Sequence, residues 1–169
     1  VVPGPPGFDV AEPAPAQRRF LHPDVDAWAS DVTALASRFA HHPGVVIGAA
    51  IHSVRSVDGA SLRTVAEALP DAPLHVHVSE QPAENRACLA VTGRTPVQLL
   101  ADAGVWTPRS TAVHATHLTT TDIATLGGAG AFACFCPTTE AELGDGIGPS
   151  VALRDAGVRI TLGSDSQTV

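Results

Sequence analysis

LHVHVSEQ, residues 74–81, is the stretch whose reading decides the fold. LHVHV is short, apolar and β-branched, bounded by Pro73 and the polar SEQ, and reads as a strand. In a strand, residues two apart face the same side, so His75 and His77 both point inward. A two-residue step is roughly 6.6 Å, which sets His75 deeper and His77 nearer the strand's carboxyl end. Glu80 falls past that end, in the loop.

Four further runs share this character: VVIGAAI (45–51), STAVHA (110–115), AFACFC (131–136) and VRITLG (158–163). They are nearly continuous in apolar residues, as parallel strands buried on both faces are. Helical segments lie between them: SLRTVAEAL (61–69), a region from about 82 to 103, TTTDIATLGG (119–128) and GPSVALRDAG (148–157). Thr120 or Thr121 is expected to cap the third, and Gly157 to end the last. A repeating βα unit implies a parallel sheet with helical crossovers. Five such strands suit an open doubly wound sheet or part of an eight-stranded barrel. No GxGxxG follows the first strand, which weakens a dinucleotide-binding reading. The polar residues gather instead at the carboxyl ends of successive strands: His52, His77 to Glu80, His114 and Asp165. Barrel enzymes carry their chemistry on that rim.

Ahead of the strands, residues 1–20 are rich in Pro and Gly and read as a loop or lid. Residues 24–41 show helical periodicity, with Val25, Trp28, Val32, Leu35 and Phe39 on one face. The division expected is a loop or lid over 1–23 and an α/β core over 24–169.

The 169 residues suffice for one domain with a real core, and 44% hydrophobic with 16% charged residues is a globular balance. A formal charge of −7 argues against nucleic acid or an anionic membrane as partner. No apolar run is long enough to span a membrane, and the amino terminus lacks a signal-peptide layout. The three cysteines, Cys88, Cys134 and Cys136, lack CxxC spacing and read as thiols in a reducing cytoplasm. Cys134 and Cys136, inside an apolar run, are expected to be buried and inert. The chain has no Met, Tyr or Lys, and the missing start residue suggests a piece of a longer protein.

Imidazoles and carboxylates on neighbouring strand ends suit a borderline metal such as zinc. A metal of that kind brings the pKa of water down to about 7, and a nearby glutamate can carry the proton released. HSVR (52–55) places Arg55 where it can clamp a carboxylate with two parallel hydrogen bonds, although a surface ion pair is the commoner use of an arginine. His117, where a helix begins, reads as an exposed residue near the cap. PTTEAELGDG (137–146) reads as a polar, glycine-ended loop from which Glu140 or Asp145 can reach the site. His41 and His42 read as a solvated helix end.

Taken together, HVHVSE, VHATH, PTTEAELGDG and GSDS resemble the metal-dependent amidohydrolase superfamily in its aminohydrolase branch. HSVR, the SEQ after HVH, and TEAELGDG are most similar to its formimidoylglutamate deiminases. The likeness runs from about residue 11 to the end. It implies a partial TIM-type (β/α)8 barrel of roughly strands 4 to 8, and one Zn2+ or other divalent metal per site. By residue, it implies that His77 and Asp165 bind the metal, with Glu80, His114 and Asp165 catalytic. His52 and Arg55 would hold the carboxylates of a small-molecule substrate, and His75 would pack below the site. The implied reaction is hydrolysis of N-formimidoyl-L-glutamate to N-formyl-L-glutamate and ammonia, in histidine degradation. The alternatives are a deaminase or chlorohydrolase of a heterocyclic ring, and a non-catalytic truncated paralogue. A homodimer is expected by analogy alone.

Two departures stand out. The family takes two more metal ligands from an HxH on the first strand, and His22, His41 and His42 have neither that spacing nor a strand around them. A substrate-binding tyrosine expected near PGF or AEP is absent. The HxH strand is therefore expected outside this chain, which alone would be inactive.

Overall fold

LHVHV forms a strand over its whole length, Leu74–Val78, and it sits inside the sheet. The computed structural model describes residues 7–8, 13–16 and 18–165. Five strands lie side by side in chain order: β1 (Ala49–Ile51), β2 (Leu74–Val78), β3 (Ser110–His114), β4 (Phe132–Phe135) and β5 (Arg159–Leu162). Every pair is parallel. The central register sets Leu74 beside Ser110 and Val78 beside His114. This is the α/β architecture expected of part of a barrel.

Among the described residues, seven α-helices flank the sheet: α1 (Val25–Phe39), α2 (Gly59–Ala68), α3 (Pro82–Thr92), α4 (Pro96–Asp102), α5 (Thr120–Gly128), α6 (Pro137–Leu143) and α7 (Ser150–Asp155). Their apolar faces meet the sheet in one core. Ile51, Val76, Val78, Ala112 and Ala133 from the strands are buried there with Leu62, Leu100, Leu126 and Leu153 from the helices. Alternate strand residues face the other way, and that face is open. His75 shares the side of His77, as period two demands, but is exposed rather than packed below the site. The five strands form only part of a cylinder, so the side that would face its axis lacks cover. All four residues of β5 are exposed, because it is an edge strand with a neighbour on one side only.

The departures from the sequence reading have local causes. The region 82–103 splits into two helices because Gly93 takes a left-handed φ of 70°. Thr95 then starts α4 with a capping box to Gln98, worth about 1 kcal/mol. Thr119, not Thr120 or Thr121, caps α5, and Asp122 completes its box. PTTEAEL is a helix rather than a loop, with Pro137 opening the first turn and left-handed Gly144 closing the last. β1 covers only the last three residues of the apolar run 45–51. In α1, Val25, Trp28, Val32 and Phe39 are half-buried, while Leu35 is exposed. Much of the expected loop or lid lies outside the described residues; within it, Arg18–Phe20 forms a single 3-10 turn. Cys88 and Cys136 are buried and Cys134 is half-buried, all as free thiols. No described helix is long and apolar enough to cross a membrane.

Candidate active site

The carboxyl ends of β1, β2, β3 and β5 converge on one cavity of about 140 Å³. His52, Ser53, Arg55, His77, Glu80, Glu84, His114 and Asp165 line it. At ~30 Å³ per water, it has room for an ion, a water and the reacting end of a small molecule. A larger cavity of about 610 Å³ lies beside α6 and β5 and is lined mainly by apolar residues. The imidazoles, carboxylates and guanidinium gather in the smaller one.

Backbone conformation turns the side chains into it. Ser79 (φ 51°), His114 (φ 67°), Ala115 (φ 49°) and Asp165 (φ 60°) are the described non-glycine residues in the left-handed region. All four stand just at or past a strand end. L-residues pay for that conformation, and it persists only where the surroundings enforce it. Backbone bonds do so here: Ala115 N–H donates to the Val78 carbonyl over 3.1 Å, and His117 N–H to the Ser79 carbonyl over 2.9 Å.

His77 is half-buried, and its Nδ1 lies 2.8 Å from the main-chain carbonyl of His52. A carbonyl only accepts, so Nδ1 carries the proton and Nε2 keeps its lone pair. His114, 1% exposed, stacks on His77 with ring centroids 5.5 Å apart. Its Nε2 is 3.6 Å from Glu80 Oε1, and its Nδ1 is 3.4 Å from Glu140 Oε1. Glu140 is held in turn by the Cys136 N–H over 2.7 Å. His114 thus stands between two carboxylates, one facing the cavity and one buried.

One ligand atom each from His77, His114 and Asp165 lies within 4.8 Å of the others. Two imidazoles and a carboxylate so placed fit a divalent cation, and the tautomer of His77 leaves Nε2 free to bind it. His114 Nδ1 is taken up by Glu140 and its Nε2 faces Glu80, which suits an orienting role beside the cation.

On the far side of the cavity, His52 packs edge-on to His77 with centroids 5.6 Å apart. Desolvation of its ring, then the nearby His77 and Arg55, lower its pKa from 6.5, so it is neutral near pH 7. Arg55 is exposed on the cavity wall and forms no ion pair within 4.0 Å among the described residues.

The structure thus brings His52, Arg55, His77, Glu80, His114 and Asp165 to one place. It also adds two carboxylates. Glu140, left unplaced by the sequence, reaches His114 because its loop is a helix. Glu84 was not singled out at all. It is 4% exposed, and its Oε2 accepts the Glu80 N–H over 3.2 Å. The available signal was its place at the third position of α3, where a glutamate turns back on the preceding backbone. Burial pushes its pKa up to about 6, against the opposing pull of Arg55 and the Glu80 N–H.

His117 is not a free surface residue. Its Nε2 lies 2.8 Å from the Asp145 carbonyl, to which it donates, and its own carbonyl accepts Asn85 Nδ2 over 2.6 Å. It ties its own loop after β3 to the turn after β2, to α3 and to the loop after α6. Asp145 is buried and holds His117 through that carbonyl, and its side chain does not line the cavity. The Cys136 thiol is pushed up to about 12, chiefly by burial, in keeping with an inert role.

The sequence pattern described as the amidohydrolase family matches residues 15–168. The formimidoylglutamate deiminase of Pseudomonas aeruginosa is 40% identical over 124 residues, which cover 73% of this chain and 27% of that enzyme. A 5-methylthioadenosine/S-adenosylhomocysteine deaminase of Teredinibacter turnerae is 33% identical over 133 residues, covering 78% of this chain and 30% of that one. Among solved structures, an amidohydrolase from Brucella melitensis superposes with a TM-score of 0.86 at 37% identity, covering 99% of this chain and 37% of that chain. An adenosine deaminase from Xanthomonas campestris with bound zinc superposes with a TM-score of 0.79 at 27% identity, covering 83% and 33%. The chain therefore spans about a third of the length of these relatives.

Proposed function

Since the chain belongs to the amidohydrolase family, we propose that it carries much of the active site of a zinc-dependent deiminase acting on N-formimidoyl-L-glutamate. The products are N-formyl-L-glutamate and ammonia. The observation that carries this reading is the pairing, in one cavity, of Glu80 and His114, 3.6 Å apart, with an arginine that has no ion pair among the described residues. The 40% identity to a formimidoylglutamate deiminase supports it.

His77 and Asp165 would hold the metal. When bound, the cation supplies Lewis acidity that makes water a usable nucleophile near neutral pH. Glu80 accepts one proton from the attacking water at a carboxylate oxygen. It gives that proton to the imine nitrogen, and then carries the second proton from the added hydroxyl to the same nitrogen as the C=O bond forms and the C–N bond breaks, so that ammonia leaves. His114, fixed through Nδ1 by Glu140, presents Nε2 toward Glu80 and orients the attacking oxygen. Arg55 and the neutral imidazole of His52 bind the glutamate carboxylates, the arginine by two parallel N–H donors.

The test is ammonia release from N-formimidoyl-L-glutamate by the full-length protein with metal bound. Turnover of a purine or pyrimidine with none of this substrate would overturn the reading. A second reading, deamination of an adenosine-type ring, is favoured by the likeness to 5-methylthioadenosine/S-adenosylhomocysteine deaminases. Of those two substrates 5-methylthioadenosine has no carboxylate for Arg55 to bind, so on that substrate Arg55→Ala would leave KM unchanged.

A further inference from the structure

We propose that Glu84 is a positioning residue that ties the proton carrier Glu80 to the carboxylate clamp Arg55. The inference rests on the reading of this cavity as a hydrolytic site. Glu84 stands in the first turn of α3, one turn beyond Glu80, and its side chain reverses toward the start of the helix. Its Oε2 receives the Glu80 main-chain N–H over 3.2 Å, at the point where Ser79 adopts its left-handed φ of 51°. This bond holds the turn that carries Glu80 over the cavity.

The other oxygen is the unusual one. Oε1 is buried and finds no hydrogen-bond partner among the described residues. An unpaired carboxylate oxygen away from water is costly, and structures keep such groups where something else uses them. Glu84 lines the same cavity as Arg55, and the guanidinium is the charge that favours its ionised form most. Arg55 has no ion pair of its own within 4.0 Å among the described residues. A buried anion and an unengaged cation on one wall attract each other, because low local polarity strengthens the field between them. Glu84 thereby biases the exposed Arg55 head toward the cavity wall that both residues line.

The two arms separate by mutation in the metal-loaded, full-length enzyme. Glu84→Gln keeps an oxygen for the Glu80 N–H but removes the charge facing Arg55. It should raise KM for the carboxylate substrate roughly tenfold and leave kcat within about threefold. Glu84→Ala removes both arms and should also lower kcat by about tenfold or more. In an Arg55→Ala background, Glu84→Gln should add nothing to KM, the non-additivity expected of directly coupled residues. A merely structural role predicts instead that KM and kcat worsen together in both variants, following loss of thermal stability. That pattern, an additive cycle, or a Glu84→Gln enzyme with wild-type constants overturns the proposal. If the enzyme acts only on a ring without a carboxylate, the substrate reading falls by itself. The Glu80 arm is then read from kcat on that ring: a loss in Glu84→Ala but not in Glu84→Gln supports it, and no loss refutes it.

Discussion

His77 donates its Nδ1 proton to the main-chain carbonyl of His52 across 2.8 Å. A backbone atom at the end of β1 therefore chooses the tautomer of a side chain on β2. The proton on Nδ1 leaves Nε2 as the atom that can bind a cation. His77→Ala should cut the metal content of the full-length protein, measured by elemental analysis, with little change in far-ultraviolet circular dichroism. The loss should exceed the roughly 10- to 100-fold that removal of an outer partner costs a metal site. Full metal retention would remove His77 from the ligand set.

Glu80 faces His114 Nε2 at 3.6 Å and does not belong to the three-residue cluster around the proposed ion. Glu80→Gln should therefore keep the metal and lose the proton transfer. A fall in kcat of roughly 10²- to 10⁴-fold is expected for a lost general acid–base. Elemental analysis on the same sample separates this from metal loss. An active Glu80→Gln enzyme would shift the proton carrier to another residue.

Glu140 holds His114 Nδ1 and the Cys136 N–H with a single oxygen. Glu140→Leu leaves that buried N–H without an acceptor, which should cost about 1–3 kcal/mol in urea unfolding. Glu140→Gln retains an acceptor and should cost less stability while still loosening the imidazole. Its kcat should fall even where its unfolding midpoint is near the wild type. Equal unfolding midpoints for the Leu and Gln variants would remove Glu140 from its bridging role.

Glu84 makes a pH prediction of definite sign. Its ordinary value of 4.5 is pushed up to about 6 by burial. Between those two values the folded chain holds a proton that the unfolded chain has released. Stability from this group therefore falls as pH rises through that window, by about 2 kcal/mol in all. Below the window it contributes no penalty; above it the penalty is complete. Glu84→Gln should flatten this part of the stability profile of the full-length protein and gain stability at pH 7. A profile of unchanged slope would show that Glu84 titrates normally.

The sequence by itself determined the period-two and helical segments, and with them the parallel βα order. Those are local properties, written in side-chain spacing along the chain. It also put His52, His77, His114 and Asp165 at strand ends, because strand length counts them out. What it left open were matters of direction and distance. Whether 137–143 is loop or helix depended on Pro137 and Gly144 acting together, and that decided whether Glu140 reaches His114. His117 read as a surface histidine because its partners, Ser79, Asn85 and Asp145, lie far from it along the chain, in the turn after β2, in α3 and in the loop after α6. Glu84 looked like any acidic residue in a first helical turn until the turn at Ser79 buried it beside Arg55. Spacing along the chain records which side a residue faces. Only the tertiary structure sets the few ångströms between carboxylate, imidazole and guanidinium, and those distances govern charge, proton position and reach.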